Sequence, residues 1–175
     1  MDNYYLEEEI KEVNRTYRGG PFAKNRIVPK VVELYAKPES EILDYGAGKG
    51  MIQAKKLIKK GFKVTAYDFG DNVTKEHDRK ALDRKYDIVY ASNVLNVQPN
   101  TRTLNVTLKE IEGAVKKGGL AIVNYPKKPR KVKDITREDM DKKIMELFPG
   151  SIFIKALDVW VCVRLKNVES TQKNS

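Results

Sequence analysis

The sequence predicts an α/β fold: a mostly parallel sheet with helices on both faces and a C-terminal antiparallel hairpin. Three observations predict it. Glu41–Gly50 passes from a strand-like run (Ile42, Leu43, Tyr45) into glycines alternating at 46, 48 and 50, and Met51–Lys60 then carries apolar residues at helical spacing. Strand-like and helix-like segments keep alternating after that, as parallel sheets with crossover helices require. The last two apolar runs, Ser151–Ala156 and Val159–Leu165, are split only by Leu157-Asp158 and read as a hairpin.

Each element follows from local pattern. Asn3–Tyr17 has Leu6, Ile10 and Val13 on one side and is broken by Gly19-Gly20-Pro21. Ile27–Ala36 reads as a second helix, with Pro29 in its first turn, where proline is tolerated, and Pro38 after its end. Gly61 stops the helix that follows the glycine turn, and Lys63–Tyr67 is the next strand. Phe69–Lys85 is short and polar, with room for a helical turn and at most a short strand near Lys80-Ala81-Leu82. Its lone histidine, His77, reads as an exposed loop residue, and one histidine without cysteines makes no metal site. Asp87–Ala91 is a strongly apolar strand. Asn100 or Thr101 caps a helix expected to run to Lys117, where Lys116-Lys117-Gly118-Gly119 reads as its terminus. Leu120–Tyr125 is a further strand, followed by a basic loop, and Thr136 caps a helix reaching about Phe148.

Strand, glycine turn and helix together form a nucleotide-binding opening unit, because glycines let a ligand approach the backbone and let the turn take positive φ. Asp68, at the end of the second strand, lies where an acid meets ribose hydroxyls. The spacing is not that of a dinucleotide fold, since the third glycine comes one residue early. It is not a P-loop either, since Gly48-Lys49 is followed by Gly50 rather than Ser or Thr.

Leu43-Asp44-Tyr45-Gly46-Ala47-Gly48-Lys49-Gly50 resembles the first motif of the class I, Rossmann-like S-adenosylmethionine (SAM)-dependent methyltransferases. Tyr86–Asn93 resembles the family's fourth-motif strand, and Ser92–Val97 is similar to small phage- or prophage-type members. The resemblance spans about Arg26 to Leu165. It implies that SAM is bound by Asp44, Tyr45, Gly46, Ala47, Gly48 and Gly50, with Asp44 towards the cationic methionine end. It further implies Asp68 on the ribose, Phe69 against adenine, Asp78 near adenine, and Ser92 and Asn93 at the end of the fourth-motif strand. Phe69 reads equally as a packed loop residue. S-adenosylhomocysteine would be the product.

Methyl transfer is an in-line displacement for which positioning supplies much of the catalysis. The chain lacks the Pro-Pro-aromatic run of the family's amino-methyltransferases, the Pro-Cys nucleophile of cytosine C5 enzymes and the Asp of ribose 2′-O enzymes. Asn93, Asn96 and Tyr125 remain as candidate catalytic residues: the asparagines by orienting an acceptor, Tyr125 by stacking on a base. Asn93 reads equally as a satisfier of strand-end backbone groups. Lys127, Lys128, Arg130 and Lys131 follow the strand ending in Asn124-Tyr125 and are candidates for phosphate contacts, or else a solvated loop.

The 175 residues fit one core without staples. We expect an N-terminal helical segment (1–38) packing on a SAM-binding core (39–166), then a flexible tail (167–175). The acidic start is unlike a secretion leader, no run approaches membrane-spanning length, and the single Cys162 suits a reducing, cytoplasmic setting. The net charge of +10 favours an anionic partner, nucleic acid first, without establishing one. A small-molecule acceptor and a non-catalytic binding module are the alternatives.

Overall fold

The computed structural model describes residues 5–16, 27–125 and 135–165. The elements run α1 (Glu7–Thr16), α2 (Ile27–Tyr35), β1 (Glu41–Tyr45), α3 (Ile52–Lys59), β2 (Lys63–Tyr67), β3 (Tyr86–Ala91), α4 (Thr101–Ala114), β4 (Val115–Asn124), α5 (Arg137–Leu147), β5 (Ile152–Ile154) and β6 (Val159–Val163). Single 3-10 turns occupy Gly70–Asn72, Ala81–Asp83 and Leu95–Val97. Six strands form one sheet in the order β2-β1-β3-β4-β6-β5. β1 is parallel to β2 and β3, β3 is parallel to β4, and β6 is antiparallel to both β4 and β5. The expected α/β sheet with a closing antiparallel hairpin is therefore observed.

Strand alternation sorts the core into two layers. Ile42, Ile88, Tyr90, Ile122, Val159 and Val161 pack under α2 and α3 with Val28, Val31, Val32 and Leu57. Leu43, Val89, Ala91, Ala121, Val123, Trp160 and Cys162 pack under α4 and α5 with Leu104, Leu108, Ile111, Met140 and Ile144. Cys162 is fully buried, and burial pushes its thiol up to about 12, as suits a structural rather than a nucleophilic cysteine.

Caps set the helix ends. Asn100 and Thr103 form a capping box on α4, and Thr136 and Asp139 form one on α5. α3 ends in a Schellman motif: Phe62 N donates to Leu57 O and Gly61 N to Ile58 O, with Gly61 at φ +92.

α4 ends at Ala114, three residues short of the expected Lys117, and Val115 instead pairs with Tyr86 in the sheet. The reason lies in β6. Just beyond that strand, Arg164 Nη1 donates to the helix-end carbonyls of Glu112 (2.8 Å) and Gly113 (3.3 Å) and to Val115 O (2.6 Å). A distant guanidinium thus caps the helix, and the Lys-Lys-Gly-Gly run becomes strand. Gly119 is required there by close approach, since an added Cβ would lie 2.7 Å from Asp87 O. No short strand forms near Lys80-Ala81-Leu82; the 3-10 turn Ala81–Asp83 stands there.

Two glycine substitutions should act with opposite signs. Gly119→Ala forces backbone apart and should lower stability by ~1–3 kcal/mol. Gly113→Ala, with nothing within 4 Å of the new Cβ and at the end of α4, should raise it by ~0.5–1 kcal/mol. Denaturant unfolding of both variants checks the pair; equal shifts would contradict the close-approach reading.

Candidate functional site

The chain leaves β1 for β2 on one side and later places β3 on the other, so the order reverses between β1 and β3. A crevice at the carboxyl ends of those strands is where open α/β sheets bind ligands. The glycine turn lies there. Gly46 N and Ala47 N both donate to Tyr67 O at the end of β2, at 2.9 and 3.0 Å, and Gly48 N donates to Asp68 Oδ2 at 2.6 Å. Gly46 and Gly48 have φ of +77 and +68, which explains two of the three glycines. At Gly46 there is a second reason: an added Cβ would sit 2.6 Å from Val94 Cγ2. The sequence suggested that Gly46 clears a path for a ligand; the structure shows it clearing a neighbouring side chain.

Two buried carboxylates flank the turn, in different environments. Asp44 is the register partner of Tyr90. Burial pushes its carboxyl up to about 7; the Tyr90 phenol opposes the rise and the Asp68 charge adds to it. Neither Asp44 Oδ2 nor Tyr90 Oη has a partner at hydrogen-bond geometry. Asp68 is better supported, accepting from Gly48 N, from Phe69 N (2.8 Å) and from Asn72 Nδ2 (3.4 Å). Burial still raises its pKa, against those three donors and the nearby His77.

Other site residues fall into place around this pair. Tyr45 is fully buried, tilted against Tyr67, and donates its hydroxyl to Glu110. Phe69 is half-buried, and one ring face is stacked by Tyr5 at 4.9 Å between centroids and 18° between planes. Asp78 has its carboxylate engaged by Lys80 N and by the Arg84 guanidinium. Ser92 Oγ accepts from Gln53 Nε2 at 3.0 Å.

Asn93, at φ +59, is bound reciprocally to Asn124: its N–H donates to Asn124 Oδ1 (2.6 Å) and its Oδ1 accepts from Asn124 Nδ2 (2.8 Å). The asparagine pair joins the carboxyl ends of β3 and β4. Asn96 Oδ1 is buried and unpartnered. Tyr125 is 0% exposed, its ring inside the α4–α5 core layer, so it presents no face for a base. Its carbonyl accepts from Arg137 Nη1 at 2.7 Å. Lys127, Lys128, Arg130 and Lys131 lie outside the described residues, as do Phe22–Arg26 and the tail.

His77 corrects the sequence reading. It is 7% exposed rather than a surface loop residue, because its ring is drawn in by Thr74, whose N–H donates to Nδ1 at 3.1 Å. Sequence reasoning also missed Tyr5, Tyr90, Val94 and Glu110. Tyr90 carried a signal, since two residues of alternation before Ser92 put it on the Asp44 face. Tyr5 and Glu110 carried none, because only the fold brings α1 and α4 together. Among the described residues, no three or more His, Cys, Asp or Glu gather as metal ligands, and no helix is long and apolar enough to cross a membrane.

This sheet, with its glycine turn flanked by two acids at the point where the strand order reverses, is a Rossmann-like ligand-binding arrangement. Residues 20–156 match the family described as methyltransferase domain, more than half of the chain, and the chain belongs to that family. No curated protein matches it. Among solved structures, it is similar to a TehB-like SAM-dependent methyltransferase from Corynebacterium glutamicum (TM-score 0.58, 17% identity, 92% of this chain and 100% of that one). It is also similar to the Burkholderia thailandensis 1,6-didemethyltoxoflavin N1-methyltransferase, solved with that compound and S-adenosylhomocysteine (TM-score 0.61, 13% identity, 95% and 93%). A third is a Geobacter sulfurreducens SAM-dependent methyltransferase in complex with S-adenosylhomocysteine (TM-score 0.52, 13%, 86% and 73%). At these identities the likeness is one of fold.

The contact at Gly46 is testable by a double-mutant cycle. Gly46→Ala should cost ~1–3 kcal/mol through positive φ and the Val94 contact. Combined with Val94→Ala, the total should fall short of the sum of the two single costs. Strict additivity in unfolding experiments would mean that the two side chains do not meet.

Proposed function

We propose that the chain binds SAM across the glycine turn and transfers its methyl group to an anionic acceptor, nucleic acid first. The observation that carries the cofactor assignment is Asp44: a fully buried carboxylate with an unpartnered oxygen beside the turn fits a ligand that brings a cation. Its ammonium would supply what Asp44 lacks. Asp68, held by backbone donors with its ionised form favoured by them, would accept from ribose hydroxyls, and Phe69 would offer adenine the ring face that Tyr5 does not cover.

When bound, SAM would supply a methyl carbon activated by its sulfonium sulfur, and S-adenosylhomocysteine would remain once the methyl had passed to an acceptor that gives up its proton. The chain's part is placement. The Asn93–Asn124 pair fixes the ends of β3 and β4, and Asn96 Oδ1, buried and unpartnered, would have hydrogen-bonding capacity for an acceptor. Support for an anionic acceptor is the net charge of +10 and the basic run of sequence from Lys127 to Lys133. We place the reaction in the cytoplasm, where one buried free cysteine needs no partner. A small-molecule acceptor is the second reading, favoured by the burial of Tyr125, which removes the expected base-stacking face, and by the small heterocycle bound in the Burkholderia enzyme.

Oligonucleotide binding separates the two. Wild-type protein should bind single-stranded oligonucleotide with affinity that falls steeply with salt. Replacing Lys127, Lys128, Arg130 and Lys131 with Ser should weaken that binding and flatten the salt slope, while leaving S-adenosylhomocysteine affinity unchanged. No oligonucleotide binding by wild type at low salt would favour the small-molecule reading.

Asp44 gives a pH signature. Its carboxyl is neutral below about 7, yet a cationic ligand selects the ionised form. Affinity for S-adenosylhomocysteine should therefore rise with pH up to about 7, by at most about tenfold per unit, and binding below that pH should release a proton. The ligand-free protein shows the reverse sign. Its Asp44 pKa is raised from 3.8 to about 7, so this residue's contribution to stability is present at low pH and is lost as pH rises between those values. Asp44→Asn should abolish both dependences and weaken binding ~10–100-fold. Calorimetry in buffers of different ionisation enthalpy measures the proton directly; a pH-independent affinity from pH 5.5 to 8 would sink the assignment.

A further inference from the structure

The loop between β2 and β3 holds a buried imidazole with one ring nitrogen unused. His77 is 7% exposed. Its Nδ1 accepts from Thr74 N at 3.1 Å and lies 3.0 Å from Thr74 Oγ1. An Nδ1 that accepts a backbone N–H carries no proton of its own, so the neutral ring bears its hydrogen on Nε2. That Nε2 is buried and has no partner among the described residues. A buried donor left unmade costs free energy on the order of 1–3 kcal/mol, and a ligand acceptor would offset that cost.

The ring's position is set by the sheet. Ala66 O accepts from Asp78 N at 3.0 Å, which lays the residue after His77 against the carboxyl end of β2. Two residues beyond Ala66 is Asp68. The Asp78–Ala66 bond thus brings the His77 segment to the strand end that carries Asp68. Asn72, itself 9% exposed, donates to the same carboxylate. Asp68, Asn72 and His77 are thus three buried polar residues in the segments gathered at the end of β2, with acceptors on Asp68 and one unspent donor on His77.

We propose that His77 Nε2–H is a second ribose-binding group, donating to the oxygen of the hydroxyl that donates to Asp68. A hydroxyl is both donor and acceptor, and a carboxylate beside an N–H donor satisfies both capacities at once. Neither group does so alone. This rests on the SAM-binding reading above.

Three ligands and two variants test it. His77→Asn keeps a short polar group near Thr74 but removes the distal donor. His77→Gln places an amide N–H near the position of Nε2. S-adenosylhomocysteine should bind His77→Asn roughly tenfold more weakly than wild type, on the order of one neutral hydrogen bond, and His77→Gln should recover part of the loss. Against the 2′-deoxy and 3′-deoxy analogues, one deoxy change should be less costly in His77→Asn than in wild type, because the partner of that oxygen is already gone. A loop-holding role alone would weaken all three ligands by the same factor and would overturn the proposal, as would unchanged affinity of a folded His77→Asn. Should neither variant fold, the wild-type ring reports by itself: its Nε2 nitrogen resonance should shift on adding S-adenosylhomocysteine and shift less with the critical deoxy analogue, and an unmoved resonance would overturn the proposal. Wild type that binds no S-adenosylhomocysteine would instead remove the SAM-binding reading.

Discussion

The site depends on three successive backbone N–H groups that the turn after β1 gives away to the end of β2. Gly46 and Ala47 spend theirs on Tyr67 O, and Gly48 spends its own on Asp68. These bonds fasten the turn at the point where five β1 residues are already registered against β2. The turn takes left-handed φ at Gly46 and Gly48, which glycine allows without steric cost. The same bonds orient the Asp68 carboxylate, and Val94 closes over Gly46 from beyond β3. Three strand ends are therefore held by one short segment whose only side chain is the Ala47 methyl.

The two acids beside that segment show how burial and hydrogen bonding divide the electrostatic work. Both are buried, and burial raises both. Asp68 has three donors, two of them backbone, which favour its charged form against the effect of burial. Asp44 keeps an unpartnered oxygen and sits about where half of the molecules are ionised at neutral pH. A preformed acceptor suits neutral hydroxyls, which bring no charge with which to offset desolvation. An acid that ionises in company suits a cation, because the pair enters the low-dielectric site together.

The sheet and the turn were legible because they rest on local signals: period-two apolar runs, glycines and caps such as Asn100 and Thr136. The hairpin was legible for the same reason. What escaped was set by groups far apart in the chain. Lys116-Lys117-Gly118-Gly119 has the composition of a helix terminus, but Arg164 takes the carbonyls and the run joins the sheet. His77 sits in a polar stretch that reads as surface, and its burial follows from Thr74 and from the Asp78–Ala66 bond along β2. Tyr125 follows a strand as a stacking aromatic would, yet the alternation that turns Ala121 and Val123 into the α4–α5 layer turns Tyr125 inward as well.

Helix α1 illustrates the same dependence of local structure on the site. Ten residues are too few for a stable helix in isolation, and three acids in its first turn favour its dipole only modestly. Its place is fixed instead by contacts at its start: Tyr5 stacked on Phe69, the Tyr5 hydroxyl against Thr107 of α4, and Glu9 on Asn100 and Arg102 at the N-terminus of α4. Phe69 immediately follows Asp68, so the helix is docked on the loop that begins at that buried acid. Beneath it, Tyr45, the residue before the glycine turn, donates to Glu110, whose carboxyl is raised by burial. The N-terminal helix, the loop after β2 and the turn after β1 thus share one packed and hydrogen-bonded layer, and the order of each is supported by the other two.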